Sequence, residues 1–309
     1  MKKILLLLLI AVRSLAQSPE NYSESVIEAS KSWIDLDYAG DGIIGHKLDI
    51  FLPKKGKGPF PVVVMVYGSA FFSNSSKGNC FKENYGQTLL KNGFAVVSIN
   101  HRSSREAIWP AQIHDIKAAI RFIRANAQQF SLDNSFIGIT GFSSGGHLSA
   151  MAGVTSGTKS EKINGLEIDL EGNVGKYWET SSHVNAVVDW FGPTDFLIMD
   201  ACGSSFSHDD AKSPESTLIG GAIQENKDKA ALANPISYVS SGDPPFLIFH
   251  GNKDPLVPHC QSEKLYEKMQ KAGVNSQLVI IEGGGHGPGV MIDKYYNQMV
   301  GFFKSKLKK

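Results

Sequence analysis

The amino-acid sequence predicts an α/β fold in which a mostly parallel, doubly wound sheet carries helices on both faces. Short apolar runs alternate with longer segments of helical period along most of the 309 residues, as is typical of strand–helix–strand units. Several runs are continuous in Val, Ile and Phe, as expected of strands buried on both faces. No Pro- or Ser-rich linker separates self-sufficient halves, so we expect one domain over residues 17–309.

Seven strands are predicted from the apolar runs. Each run is five to eight residues long, which is the usual length of a strand in a globular protein. In chain order the predicted strands are Lys47–Leu52, Pro61–Tyr67, Phe94–Ile99, Phe136–Thr140, Val184–Phe191, Phe246–His250 and Gln277–Glu282.

Helices are predicted where apolar residues recur at spacings of three and four. The clearest begins after Pro110, which suits a first helical turn because its missing N–H would have no partner there. Its apolar face comprises Ile113, Ile116, Ile120, Ile123 and Ala127, and its opposite face comprises Asp115, Lys117, Arg121 and Arg124. Gln261–Ala272, ended by Gly273, and Val290–Leu307 are the other long helices.

Two polar stretches interrupt the alternation of strands and helices. Ser156–Ser182, which is rich in Gly, Lys and Glu, and Asp200–Glu215 are predicted as surface loops or small polar cap insertions. Neither has the amphipathic apolar face that a lid opening at a lipid interface would need.

The first sixteen residues have the layout of a secretory signal peptide. Lys2 and Lys3 precede the apolar run Ile4–Val12, and small residues at Ser14 and Ala16 predict cleavage after Ala16. A secreted or periplasmic protein is therefore expected. The run is too short to span a bilayer as a helix, and its alternative interpretation is a short core or membrane-surface helix.

Charge and cysteine content narrow the function classes. The chain has 31 basic and 30 acidic residues, and removing the first sixteen leaves 28 and 30, a net charge of −2. This balance argues against nucleic-acid binding, and no membrane association is expected after signal cleavage. Cys80, Cys202 and Cys260 lie in no metal-binding spacing, so neither a metal nor another cofactor is predicted. Three cysteines allow at most one internal disulfide, and the pairing stays open.

The catalytic signal lies where a strand meets a helix. Phe136–Thr140 runs into Gly141-Phe-Ser143-Ser-Gly145, and the helix-forming residues Leu148 to Ala152 follow. A serine between two glycines in this setting indicates a nucleophile elbow, in which small residues permit the tight turn. The elbow predicts the α/β-hydrolase fold and assigns Ser143 as the nucleophile.

A serine nucleophile needs a histidine base and an orienting acid, which in this fold follow it in the order acid, histidine. His286 lies in a Gly-rich loop after the last predicted strand and is the candidate base. Asp254 follows the strand Phe246–His250 and is the candidate acid, and Asp195 is the alternative, which we expect to cap or structure a loop. His147 is expected to pack beneath the elbow, and His208 is placed in a polar loop.

Backbone N–H groups must stabilise the oxyanion of the tetrahedral intermediate. The N–H of Ser144, directly after the nucleophile, is one predicted donor. The N–H groups of Ser69 and Ala70 are the others, because small residues after the strand Pro61–Tyr67 would let the backbone approach a substrate carbonyl.

Five segments together resemble secreted bacterial α/β-hydrolase esterases of the acetyl/feruloyl carbohydrate-esterase-like group, which are related to the hormone-sensitive-lipase-like carboxylesterases. The segments are Tyr67-Gly-Ser-Ala-Phe-Phe, Trp109-Pro-Ala-Gln-Ile-His-Asp, Gly141-Phe-Ser-Ser-Gly-Gly-His, Trp190-Phe-Gly-Pro-Thr-Asp-Phe and Ala233-Asn-Pro-Ile-Ser-Tyr. The resemblance implies serine-dependent hydrolysis of small acyl esters, acetyl or feruloyl, on plant polysaccharide or xylooligosaccharides. It also matches Ser143, Asp254 and His286 to the family's triad.

The sequence of the predicted oxyanion loop differs from the one usual in that family. Its oxyanion loop usually reads His-Gly-Gly-Ala or His-Gly-Gly-Gly, whereas this chain has Tyr67-Gly68-Ser69-Ala70. If the second glycine needs a positive φ, Ser69 would be strained by ~1 kcal/mol or more. Two other functions share this fold. One is a dipeptidyl or prolyl-type serine peptidase, for which no acidic pair is obviously placed to bind a peptide amine; the other is a non-catalytic binding protein, which predicts a broken triad.

Overall fold

The computed structural model describes residues 27–307, so the predicted signal peptide lies outside the described residues. Within that range the strands are β1 (Lys31–Asp37), β2 (Lys47–Leu52), β3 (Phe60–Val66), β4 (Ala95–Ile99), β5 (Leu132–Phe142), β6 (Ser160–Ile163), β7 (Leu166–Asp169), β8 (Ala186–Trp190), β9 (Phe246–Gly251) and β10 (Ser276–Ile281). The α-helices are α1 (Tyr85–Lys91), α2 (Ala111–Ala125), α3 (Ser144–Val154), α4 (Pro214–Ile219), α5 (Lys227–Ala233), α6 (Cys260–Ala272) and α7 (Asp293–Lys306). None of the helices in residues 27–307 is long and apolar enough to cross a bilayer.

Eight strands form one sheet in the order β1-β2-β4-β3-β5-β8-β9-β10. Strand β2 is antiparallel to both of its neighbours, and every other adjacent pair is parallel. This confirms the predicted α/β fold with a mostly parallel sheet. All seven predicted strands are present, with ends shifted by at most four residues.

The sequence patterns missed strand β1 and the small hairpin of β6 and β7. Strand β1 lies at the sheet edge and is mostly exposed, so it lacks the continuous apolar run by which the other strands were found. The β6–β7 hairpin lies in the stretch Ser156–Ser182 that was predicted as loop or small cap.

Two hydrophobic cores lie on opposite faces of the sheet, as a doubly wound fold requires. One contains the apolar side chains of α2, α3 and α6, and the other those of α1 and α7. Alternate residues of β3 enter the two cores: Val62 and Val64 pack on the first face, and Val63 and Met65 on the second. Because β3 is buried on both faces, its sequence is an unbroken run of apolar residues.

The charged face of α2 is buried. Asp115, Lys117 and Arg121 have no exposed surface. His46 and Arg102 pair with Asp115, and the segment after α3 folds over Lys117 and Arg121. Lys117 donates from Nζ to the carbonyl oxygen of Thr155 at 2.8 Å, and Arg121 pairs with Glu171. Pairing keeps these buried charges hydrogen-bonded, and it attaches the β6–β7 region to the body of the fold.

A disulfide joins Cys202 to Cys260, and Cys80 is a buried free thiol. The bridge connects the stretch Asp200–Glu215 to the first residue of α6 across a sequence separation of 58 residues. It therefore restricts a polar segment that has little core of its own.

Replacing both bridged cysteines, Cys202→Ser with Cys260→Ser, is expected to lower the free energy of unfolding by about 2–4 kcal/mol, because the unfolded chain regains the entropy of an open loop. Urea titration followed by circular dichroism measures this. Reducing agent should shift the wild-type midpoint and leave the double variant unchanged. A double variant whose midpoint equals that of the oxidised wild type would contradict the stabilising role of the bridge.

Candidate active site

Ser143 occupies a strained turn between β5 and α3. Its backbone has φ 56° and ψ −125°, a region that non-glycine residues rarely adopt. A Cβ on Gly141 would collide with the Gly145 carbonyl, and one on Gly145 with the Val66 carbonyl of β3, so both positions require glycine. The Ser143 N–H donates to the Trp190 carbonyl at 2.9 Å, which holds the turn against the end of β8.

The three predicted triad residues lie together at the carboxyl end of the parallel strands. The Ser143 Oγ is 3.0 Å from His286 Nε2, and His286 Nδ1 is 2.7 Å from Asp254 Oδ2. With Nδ1 protonated, the ring donates to the carboxylate and presents the Nε2 lone pair to the serine hydroxyl. These distances allow direct proton transfer from the serine to the histidine.

The side chain of Asp254 is fully buried and its oxygens are occupied. Oδ1 accepts the N–H groups of Leu256 and Val257 at 2.9 and 3.0 Å, and Oδ2 accepts from His286 with His250 3.5 Å away. Burial by itself would raise the pKa of Asp254, but the nearby His250 imidazole and the hydrogen bond from His286 outweigh it and hold this pKa well below its ordinary value. The acid therefore remains a carboxylate while it orients His286.

The loop after β3 lies against the serine turn. The Ser69 N–H donates to Ser144 Oγ at 2.9 Å, so that predicted oxyanion donor is occupied by a side chain. Within residues 27–307, no acceptor pairs with the N–H of Ala70 or of Ser144. Positive φ falls on Ala70 (50°) and Phe71 (63°), and not on Ser69, so the serine in place of the family's glycine is not forced into the left-handed region.

The other two candidates, His147 and Asp195, make hydrogen bonds that hold the surrounding fold. His147 is fully buried, donates from Nδ1 to the Pro193 carbonyl at 2.9 Å, and stacks on Phe196. Burial lowers its pKa to about 4. Asp195 accepts the Leu197 N–H at 3.2 Å and caps a short 3-10 turn, the structuring role expected for it.

A cavity and a cleft meet at Ser143 and His286. The cavity, of about 170 Å³, is lined mainly by apolar side chains, and its walls are Ala70, Phe71, Ser144, Pro193, Phe206, His208, Pro214, Glu215, Leu256 and Val257. The cleft, of about 700 Å³, is bordered by the oxyanion loop, by Asn79, Lys82 and Glu83, and by the segment that follows His286, including Gly287–Gly289, Met291 and Ile292.

The cavity walls include residues that the sequence patterns did not identify. Phe206, His208, Pro214 and Glu215 come from the stretch Asp200–Glu215, which was predicted only as surface loop or cap. His208 was assigned to a polar loop, yet it is about 4% exposed. A histidine and a glutamate seven residues apart carry no pattern that places them beside a serine in the folded chain, so no sequence signal was available. In residues 27–307 no cluster of three metal-ligating side chains occurs.

The strand order and the position of Ser143 define the class of protein. A nucleophile at the turn after the central strand β5, followed along the chain by its acid and its histidine, is the arrangement of the α/β-hydrolases. Within that class the chain belongs to the BD-FAE family, whose sequence profile matches residues 48–269. This confirms the resemblance to carbohydrate-esterase-like α/β-hydrolases.

Solved structures and curated relatives agree with this family. A truncated form of a carbohydrate esterase from gut microbiota is 48% identical, with a TM-score of 0.88 over 91% of this chain and 98% of that one. A bifunctional GH43-CE protein of Bacteroides eggerthii is 50% identical, with a TM-score of 0.84 over 89% of this chain and 35% of that one. Esterase LipC of Mycobacterium tuberculosis is 30% identical over 74% of this chain and 53% of its own. The chain spans about half the length of the curated relatives it matches.

The depressed pKa of Asp254 predicts a pH-dependent contribution to stability. Because the folded-state pKa lies below the unfolded value of ~3.9, the carboxylate stabilises the fold above about pH 4, and this stabilisation is lost as the pH falls through the folded-state pKa. The difference in unfolding free energy between wild type and Asp254→Asn should therefore shrink between about pH 4 and about pH 2.

Asp195 provides a control of opposite sign. Burial raises the pKa of Asp195, so its ionised form is disfavoured in the fold. The unfolding free energy of Asp195→Asn relative to wild type should therefore decrease as the pH is lowered and the wild-type carboxyl becomes protonated. Urea titrations at a series of pH values measure both differences. A wild-type advantage over Asp254→Asn that persists undiminished in acid would contradict the assignment.

Proposed function

We propose that this chain is a serine esterase that removes acetyl groups from acylated carbohydrate through an acyl-enzyme. The observation that carries the proposal is the hydrogen-bonded series from Ser143 through His286 to Asp254, beside a small cavity and two N–H groups that have no acceptor within residues 27–307. Export through the N-terminal segment, to the periplasm or the outside, is part of the proposal because a polymeric substrate does not enter the cell.

The reaction uses groups already in position. Ser143 Oγ attacks the carbonyl carbon while its proton passes to His286 Nε2, and the N–H groups of Ala70 and Ser144 donate to the oxygen that becomes negative. Collapse breaks the bond to the alcohol oxygen, which takes the proton from His286. Water then attacks the acyl-enzyme, gives its proton to His286, and releases the carboxylic acid as Ser143 regains its proton.

The two spaces accept different parts of the ester. His286, which delivers a proton to the leaving alcohol oxygen, borders both spaces, so we assign the alcohol by size to the larger one, the cleft beside Gly287–Gly289. The acyl group then enters the cavity of about 170 Å³. The cleft of about 700 Å³ is large enough and polar enough at Asn79 and Glu83 for a sugar residue of a longer chain.

The size of the cavity favours acetyl over feruloyl. An apolar cavity of about 150 Å³ holds one benzene ring, so this cavity has no room for a methoxyphenol ring together with its propenoyl arm. Similarity to a carbohydrate esterase from gut microbiota supports a carbohydrate alcohol. Both points concern specificity, and the hydrolysis itself rests on the geometry of the three residues.

Release of acetate and of ferulate from defined acetylated and feruloylated xylooligosaccharides tests the proposal. We expect acetate release at least about a hundredfold faster than ferulate release, because the larger acyl group is excluded from the cavity. Ser143→Ala serves as the blank and should lose activity by about a thousandfold or more. Faster release of ferulate would overturn the acyl assignment.

The same preparation also tests the peptidase alternative. Cleavage of an aminoacyl-prolyl amide without cleavage of either ester would show that the proposed function is wrong. No labelling of wild-type Ser143 by a fluorophosphonate would instead favour a non-catalytic binding protein.

Ser144→Ala is expected to lower kcat for acetyl esters about tenfold with little change in KM, because the loss of one hydrogen bond frees the loop that presents the Ala70 N–H. Ser149→Ala is the matched control: it lies in the same helix, and its hydroxyl bonds only to the Gly145 carbonyl, so kcat should be unchanged. An increase in kcat for Ser144→Ala would mean that Ser144 withholds the Ser69 N–H from the oxyanion.

A further inference from the structure

An ion pair lines the otherwise apolar cavity beside Ser143. His208 and Glu215 each expose about 4% of their surface, and His208 Nδ1 is 2.9 Å from Glu215 Oε2. The reaction proposed above uses neither side chain. Burying a polar pair in a cavity that receives an acyl group is costly unless the pair is hydrogen-bonded, so its presence requires an explanation.

The pair carries no net charge. His208 Nε2 is 2.8 Å from the Leu256 carbonyl oxygen, which can only accept, so Nε2 carries a proton. One more proton is shared between Nδ1 and Glu215, which makes the pair either imidazolium and carboxylate or imidazole and carboxylic acid. Burial by itself lowers the pKa of His208, but the bond to Glu215 outweighs it and raises that pKa, which favours the charged form. The pair is therefore neutral as a unit and strongly polar.

One oxygen of the pair remains available in the cavity. Glu215 Oε2 is taken by His208, and no hydrogen bond among residues 27–307 uses Glu215 Oε1. Glu215 lines the same cavity as Ser143 and the Ala70 backbone. A water molecule or another donor in the cavity would satisfy Oε1, whereas a hydrocarbon chain lying against it would leave the oxygen without a partner.

The pair is held in place by the surrounding segment. The His208 N–H donates to Asp200 Oδ1 at 2.7 Å, and the disulfide fixes Cys202 to the start of α6. Ser213 caps α4, whose first turn contains Glu215. A longer acyl chain therefore cannot displace Glu215 without disrupting these contacts.

We propose that the His208–Glu215 pair is the specificity determinant that restricts the acyl site to acetyl-sized groups and rejects longer unbranched acyl chains. The inference rests on the proposed function, because it requires the acyl group to enter this cavity. An acetyl group leaves room for a water molecule to donate to Oε1. Each additional methylene displaces that water and covers a polar oxygen with hydrocarbon, which cancels the usual gain from burying a longer chain.

Two substitutions of Glu215 by side chains of nearly equal size separate the effect of the wall's polarity from the effect of its shape. Glu215→Met removes both carboxylate oxygens from the wall, and Glu215→Gln retains a polar group there, an amide that bonds to His208 and to water. The specificity constants of wild type and both variants are measured with p-nitrophenyl acetate, butyrate and hexanoate. Glu215→Met is expected to raise the butyrate-to-acetate ratio of kcat/KM by about tenfold or more, whereas Glu215→Gln leaves the ratio within about twofold of wild type.

The outcomes distinguish this inference from the proposed function. An unchanged ratio in a folded Glu215→Met variant overturns the inference, and so does an equal rise in both variants, which would indicate a loosened wall instead of lost polarity. If wild type hydrolyses none of the esters, the proposed function fails. The inference is then judged by NMR binding of acetate and butyrate, where Glu215→Met must strengthen butyrate binding relative to acetate by a similar factor for the inference to stand.

Discussion

The close approach of three backbone segments at Ser143 is the constraint on which the site depends. Gly141 and Gly145 let β3, β5 and the start of α3 come into direct contact, which leaves Ser143 in a conformation that costs about 1–3 kcal/mol. The parallel pairing of β5 with β3 and β8, and the Ser143 N–H bond to Trp190, oppose that cost. The hydroxyl is thereby raised above the sheet edge with the first N–H groups of α3 beneath it.

Parallel topology brings the remaining groups to the same edge. Asp254 follows β9 by three residues and His286 follows β10 by five, and these strands lie adjacent to each other and close to β5. The loop after β3 approaches from the other side and presents Ala70. Because parallel strands all end at one edge, side chains that are more than 140 residues apart in the chain come within hydrogen-bond distance.

The insertion between β8 and β9 gives the site its shape. It has short helices and 3-10 turns, and it is held by a disulfide and by hydrogen bonds to Asp200. It supplies Phe206, His208 and Glu215 to the cavity walls, while the sheet supplies the reacting groups. The candidate triad and part of the cavity wall therefore come from different parts of the fold, the first from the strand ends and the second from the insertion.

The sequence alone predicted the parallel core strands and the turn at Ser143, because buried apolar runs and a Gly-x-Ser-x-Gly turn are local patterns. It also pointed to Asp254 and His286, because in this fold the acid and the histidine follow the serine in that order. It did not identify strand β1, which is exposed, nor the burial of Lys117 and Arg121, which depends on Glu171 some fifty residues later. The disulfide pairing, the Ser69 N–H bond to Ser144 and the His208–Glu215 pair were decided only by tertiary structure. Each joins residues whose proximity comes from chain packing, and packing over long sequence separations leaves no periodic signal in the sequence.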